Sequence, residues 1–209
     1  MKFHDCTTAP SPRRVRIFMA EKGIEIPTVQ VDLRTGEQMG EAFRRLNPWC
    51  TVPVLELDDG TCISEVSACC RYLEAAHPEP PLMGRDPREV GVIAMWDHHC
   101  EVDGIAAVAE VLRNRSKYMV NRAIAGPHDY AQIPELADRG ERRIGHFFDL
   151  LNDRLADNEF VAGDGFSVAD ISAMVAVDFA GWVKQTLPEG HVHARRWHAA
   201  VSARPSAQA

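Results

Sequence analysis

One segment limits what this chain can become more than any other: HPEPPLMGRDPRE, residues 77–89, with four prolines and a glycine. Proline lacks the N–H that a helix interior or central strand needs, and it pushes the residue before it out of the helical region. No regular element continues through such a stretch, so the chain divides there. Ahead of it, strand and helix periods alternate; behind it, the apolar pattern is helical almost throughout. The sequence therefore predicts an α/β part over 1–78, a linker over 79–88 and an all-α part over 89–209. A chain of 209 residues is long enough for both to own a core.

In the front part KFHDC (2–6) reads as a short strand. Pro12 to Lys22 reads as a helix, with Val15, Ile17, Phe18 and Met19 set to pack on a sheet. Ser11 before Pro12 reads as an N-cap with proline at the first helical position, and Gly23 as the stop. TVQVD (28–32) alternates like a half-buried strand. Polar RTGEQMG then leads to a short helix around Glu41–Leu46. VPVLELDDGTCI is a hairpin turning at Asp59-Gly60. From Glu65, EVSACCRYLEAA is a helix carrying Ala68, Cys69, Tyr72 and Leu73 on one side. The order βαβαββα is a small mixed sheet covered by helices.

Behind the linker, Ile144, Phe147, Phe148, Leu151 and Leu155 keep helical spacing, as do Ile171, Met174, Val175, Val177 and Phe179. AIAGPHDYAQIP (123–134) is a loop that separates an earlier long helix from these. A net charge of −7 with scattered arginines argues against nucleic acid or an anionic membrane as partner. No apolar run reaches a membrane span, and MKFHDC lacks a signal-peptide core, so a cytoplasmic location is expected. The six cysteines include no CxxC pair, and His98-His99 and His191-Val-His193 lack further ligands at useful spacing. Free thiols and no metal are the expectation.

Three segments together resemble the cytosolic glutathione transferases. LNPWCTVPVLELDDGT (46–61) is similar to that family's NPxGxVPxL segment, in which the proline is cis. ISEVSACCRYLE (63–74) resembles its strand-to-helix turn, and FVAGDGFSVADI (160–171) its buried capping motif. APSPRRVRIFMAEKGI and TGEQMGEAFRRLNP also fit, so the likeness spans nearly the whole chain. It is nearest to an atypical fungal and bacterial branch without the usual catalytic residue. The resemblance implies a thioredoxin-like domain that binds glutathione, a helical-bundle domain that holds an apolar electrophile, a role in detoxification, and a homodimer.

The same resemblance marks site residues. A cis Val52-Pro53 bond turns the Val52 backbone N–H and C=O outward, where a peptide-like ligand pairs with them as an added strand. Thr51 lies just before it. Glu65 either caps the following helix or takes the γ-glutamyl ammonium, and the N–H groups of Val66 and Ser67 take its carboxylate. Where relatives carry a hydroxyl directly after the acid, this chain has Val66, with the hydroxyl one later at Ser67. Gln38 matches a position that contacts the glycyl end; by itself it reads as a solvated glutamine. Cys50 replaces the usual glycine, as a packed or a redox-active thiol. Ser167 to Asp170 is a capping box, with Phe166 stapled onto Ile171.

Counting back from RRVRIF, the usual catalytic Ser or Cys position falls on Ala9, which donates no hydrogen bond. The nearest substitutes are Ser11, through hydroxyl or N–H, and Thr8, while Ser11 is equally a plain N-cap. Arg13 and Arg14 add positive potential or are simply solvated. Ile105, Val108, Leu112, Tyr118 and Met119 are pocket walls for the electrophile or core residues. The reading is a glutathione transferase acting by thiolate attack. The rivals are a glutathione-dependent thiol–disulfide or isomerase activity through Cys50 or Cys6, and a non-catalytic binding or scaffold protein.

Overall fold

The computed structural model describes residues 1–209 and folds as two compact units. The first holds residues 1–80 with 124–129 and Ala209; the second holds 81–123 and 130–208. The division is not a single cut, because the short segment 124–129 packs with the first unit.

In the first unit, β1 (Lys2–Asp5), α1 (Pro10–Lys22), β2 (Thr28–Gln30), α2 (Glu41–Leu46), β3 (Val54–Glu56), β4 (Cys62–Ser64) and α3 (Val66–Ala76) follow in order. The sheet order is β2-β1-β3-β4, with β1 parallel to β2 and antiparallel to β3, and β3 antiparallel to β4. This is the thioredoxin-like arrangement the resemblance implies. Val15, Ile17, Phe18 and Met19 of α1 are buried, as are Val66, Cys69, Cys70 and Leu73 of α3. Cys70, rather than Tyr72, completes the inner face of α3. The other sheet face is covered by a cluster of Cys6, Val31, Phe43, Val52 and Val54, with Ala9 packed against it.

Three local readings are corrected. α1 begins at Pro10 with Ala9 as N-cap, so Ser11 sits inside the first turn and not before it. β2 stops at Gln30 with all three residues exposed, because it is an edge strand; the burial expected of it falls on Val31 instead. Arg14 is buried, not solvated, one helical turn before the buried Phe18. At the unit's lower end the buried Lys22 ammonium donates to the carbonyls of His77 and Pro80, both at 2.7 Å, and pairs with Glu74. That ties α1 to the chain leaving α3.

The second unit contains α4 (Pro87–His99), a π-helical turn over Cys100–Ile105, α5 (Ala106–Arg115), α6 (Pro134–Arg154), α7 (Val168–Ala180) and α8 (Val192–Ser202). α7 is almost wholly buried, with only Asp178 half-exposed, as befits a central helix. Gly104 in the π turn lets neighbours close in: an added Cβ would lie 2.9 Å from both Phe147 and Ala176. The capping box before α7 is present, with Asp170 accepting from the Ser167 N–H at 3.0 Å. Phe166 stacks edge-on against Phe160, under the Arg204 guanidinium. No helix is long and apolar enough to cross a membrane.

Candidate active site

The candidate site residues of the first unit lie on the loop after β1, the turn before α2, the cis-proline loop before β3 and the start of α3. A buried carboxylate organises the first loop. Asp5 accepts from Arg16 Nη1 and from Gln30 Nε2, both at 2.6 Å. Gln30 Oε1 in turn accepts from the Thr7 N–H at 3.0 Å and the Thr7 hydroxyl at 2.7 Å, while Arg16 Nη2 donates to the Thr7 carbonyl at 3.1 Å. Thr7 is thus fully used in holding the loop. The turn closes with the Ala9 N–H on the Cys6 carbonyl at 2.8 Å. Thr8 is exposed, its hydroxyl 3.5 Å from the Cys6 sulfur.

The first turn of α1 has an unusual donor inventory. The first N–H groups of a helix normally point unpaired toward solvent or ligand. Here Pro10 and Pro12 have none, and the Arg13 N–H returns to the Ala9 carbonyl at 3.4 Å. Ser11 supplies the one remaining main-chain donor of that turn. Its half-buried hydroxyl makes no hydrogen bond within the protein.

Val52-Pro53 is cis. The β3 ladder starts at Val54, and neither backbone group of Val52 enters a turn or loop hydrogen bond. The approach to it is held by Asn47, buried beneath it, which the sequence reading did not single out. Asn47 Nδ2 donates to the Thr51 carbonyl at 2.8 Å and to the Thr51 hydroxyl oxygen at 3.0 Å, and its Oδ1 accepts from the Trp49 N–H at 3.0 Å. The polar Asn after an apolar helix end was the available signal. Cys50 has φ 55°, the left-handed region where glycine is at ease, and its buried thiol faces the Pro48 carbonyl. It is a packed thiol.

Strand register brings the next pieces alongside. Val54 pairs with Ser64, so Glu65 emerges next to the Val52-Pro53 bond. Glu65 is exposed, has φ 72° and makes no cap hydrogen bond with its side chain. A carboxylate held in a strained backbone and spared from capping is free for other work. Beyond it the Val66 and Ser67 N–H groups open the N-terminus of α3 without internal partners. Gln38 is buried at 3% exposure, not solvated, and its Oε1 meets no donor.

Burial pushes the Cys69 thiol to about 12 and raises that of Cys62. Neither is poised as a thiolate. No group of three His, Cys, Asp or Glu side chains stands together to hold a metal ion. Among the electrophile candidates, Ile105 and Val108 are core residues of the second unit; Leu112 and Met119 are half-buried, and Tyr118 is exposed.

Two family descriptions match this chain: the glutathione S-transferase N-terminal domain over residues 8–76 and the C-terminal domain over 107–205. Across its length it is 35% identical to glutathione S-transferase 2 of Saccharomyces cerevisiae, covering 99% of this chain and 87% of that one. The chain belongs to the glutathione S-transferase family. Solved members of similar shape include Gtt2 from Saccharomyces cerevisiae, with TM-score 0.92, 33% identity, and 100% of this chain and 99% of that chain covered. A glutathione S-transferase domain-containing protein from Marinobacter aquaeolei has TM-score 0.91, 39% identity and 99% of both chains covered. These relatives come from yeast and bacteria, in keeping with the fungal and bacterial branch that the chain resembles.

Proposed function

We propose that this chain is a glutathione transferase that activates the thiol without a side-chain donor at the customary position. Glutathione lies along the cis-proline loop, its backbone pairing with Val52 beside Pro53 as a short added strand. Its γ-glutamyl ammonium meets Glu65, and its γ-glutamyl carboxylate meets the N–H groups of Val66 and Ser67. Gln38 and Thr51 hold the glycyl end. The observation that carries this reading is the set of groups left unpaired together: Val52 backbone, Glu65, Gln38 Oε1 and the start of α3. Polar groups left open at adjoining loops are what a peptide ligand completes.

The thiol then sits at the first turn of α1. A free thiol has a pKa near 8.5, and bringing it to about 6.5 takes roughly 2.7 kcal/mol of preference for the anion. One hydrogen bond to a charged acceptor supplies about 1.5–3 kcal/mol. Ser11 offers a hydroxyl and an N–H, and Thr8 a second hydroxyl, so the donors at hand suffice in magnitude. The thiolate attacks the electrophile; a sulfur–carbon bond forms, and the leaving group departs with its electron pair. Leu112, Tyr118 and Met119 are the apolar walls proposed for that substrate, with Ile105 and Val108 behind them as core.

A homodimer belongs to the proposal. α4 buries none of its residues fully within one chain, and Val90 and Met95 stand about half-exposed on it, apolar surface available to a second copy. Sedimentation of the wild type against Met95→Arg tests this, with a shift to monomer expected.

Calorimetry with glutathione, followed by a conjugation assay with a chloronitrobenzene, tests the central reading. Binding with a thiol pKa lowered by more than one unit is the expected result. Absence of binding at millimolar glutathione refutes it, and binding with an unshifted thiol favours a scaffold.

A further inference from the structure

The loop between α5 and α6 is longer than a helix connection requires, and it is pinned. Asn114, buried at the end of α5, donates to the Glu110 carbonyl at 2.9 Å and accepts from the Ile133 N–H at 2.9 Å. Gln132 Nε2 bridges the carbonyls of Arg113 and Ser116 at 2.7 and 2.8 Å. Higher up, the Tyr130 N–H reaches the Asn121 carbonyl and the Ala123 N–H the Tyr130 carbonyl, closing the neck.

On this fixed frame Tyr118, Val120 and Tyr130 are 77%, 59% and 45% exposed. A mobile loop would fold such side chains away; a pinned one holds them in water.

Two cations stand in the same neck. Arg113 Nη1 donates to the backbone carbonyl of Arg122 at 2.9 Å, and neither guanidinium has an ion-pair partner. Glu110 is committed to Arg139 and Arg143, and Asp138 and Glu141 to Arg115, while Asp129 and Glu135 form no ion pair with either Arg113 or Arg122. Burial lowers the Arg113 pKa, and the charge of Arg122 lowers it further. A partly desolvated pair of like charges in a protein of net charge −7 is costly unless an anion joins it.

We infer that Arg113 and Arg122 form a subsite for an anionic group, and that the apolar rim of Tyr118, Val120 and Tyr130 takes the ring that carries it. The second substrate is then an aromatic electrophile bearing a carboxylate. The inference deepens the transferase reading and rests on it for the word electrophile; the anion subsite itself does not need turnover.

The test is equilibrium titration of the full chain with a chloronitrobenzoate and with the matching uncharged chloronitrobenzene, for the wild type and Arg122→Gln. The neck uses only backbone groups of Arg122, its carbonyl for Arg113 and its N–H for the Met119 carbonyl, so the variant keeps the fold; its unfolding midpoint and glutathione affinity serve as controls. The wild type is expected to bind the carboxylate at least about tenfold more tightly than the neutral compound, as a charge-assisted hydrogen bond allows. Arg122→Gln is expected to lose most of that preference, and Arg122→Glu to reverse it. Equal affinity of the wild type for both compounds, or an equal loss for both in the variant, overturns the inference. A preference that persists without any conjugation of either compound supports the subsite while refuting the transferase reading.

Discussion

The indole Nε1 of Trp197 donates to Asp170 Oδ1 at 2.9 Å, a bond between a fully buried ring on α8 and a fully buried carboxylate on α7. The same carboxylate accepts the Val161 N–H at 2.9 Å and the Ser167 N–H and hydroxyl at 3.0 and 3.2 Å. Removing it strands several donors, each costing about 1–3 kcal/mol. Asp170→Ala is therefore expected to lower stability by about 3–5 kcal/mol in urea denaturation. Asp170→Asn, although isosteric, faces those donors with an amide and is expected to destabilise as well. A loss below 1 kcal/mol would contradict the role given to this carboxylate.

The same residue gives a pH signature. Burial pushes the Asp170 carboxyl up to about 6, against the pull of its donors. Its unfolded value is about 3.9. Between those values the folded state binds more protons, so stability falls as pH rises. The contribution is fully present below about pH 4 and lost through about pH 6, an effect on the order of 3 kcal/mol. Urea midpoints of the wild type across that range, compared with those of Asp170→Asn, read it. A difference that grows with pH would reverse the assignment.

At Ser11 the hydroxyl and the N–H are separable by mutation. Ser11→Ala removes the hydroxyl alone, and Ser11→Pro removes both in a first turn that tolerates proline. Conjugation is expected to fall by about tenfold in the first and by about a hundredfold in the second. Wild-type rates in both variants would transfer the role to Thr8.

Glu65 occupies a backbone conformation in which glycine is at ease. Glu65→Gly is expected to leave the unfolding midpoint unchanged or raised, while weakening glutathione binding by at least about tenfold through the lost ammonium contact. Undiminished glutathione affinity in calorimetry would remove Glu65 from the site.

Gln38 shields an acceptor that nothing in the protein satisfies. Gln38→Leu is expected to be neutral or stabilising in the free protein, by up to about 1 kcal/mol, because the orphan is gone. Glutathione affinity should drop in the same variant. A destabilised free protein with unaltered affinity would mean that Gln38 is purely structural.

How far these residues could be foreseen varies with the range of their interactions. α1 starts two residues ahead of the Ser-Pro pair that makes a good cap, because Pro10 already has the fixed φ that a first turn accepts. Arg14 reads as surface because arginine usually is; which helix face is covered is a packing outcome. The edge strand β2 alternates as a buried strand would, but nothing in its own residues says that no strand lies beyond it.

The sequence alone determined the proline-rich break and the capping box before α7, each from backbone chemistry within a few residues; the cis-proline loop and the missing donor at position 9 were legible only through the family resemblance. Tertiary structure decided which polar groups are already used. Thr7 is taken by Gln30, 23 positions away, while Ser11, Glu65 and Gln38 Oε1 are left open. Hydrogen-bonding capacity is a property of a residue type, but its satisfaction depends on which distant partner the fold delivers, and that sum is complete only once the chain has closed on itself.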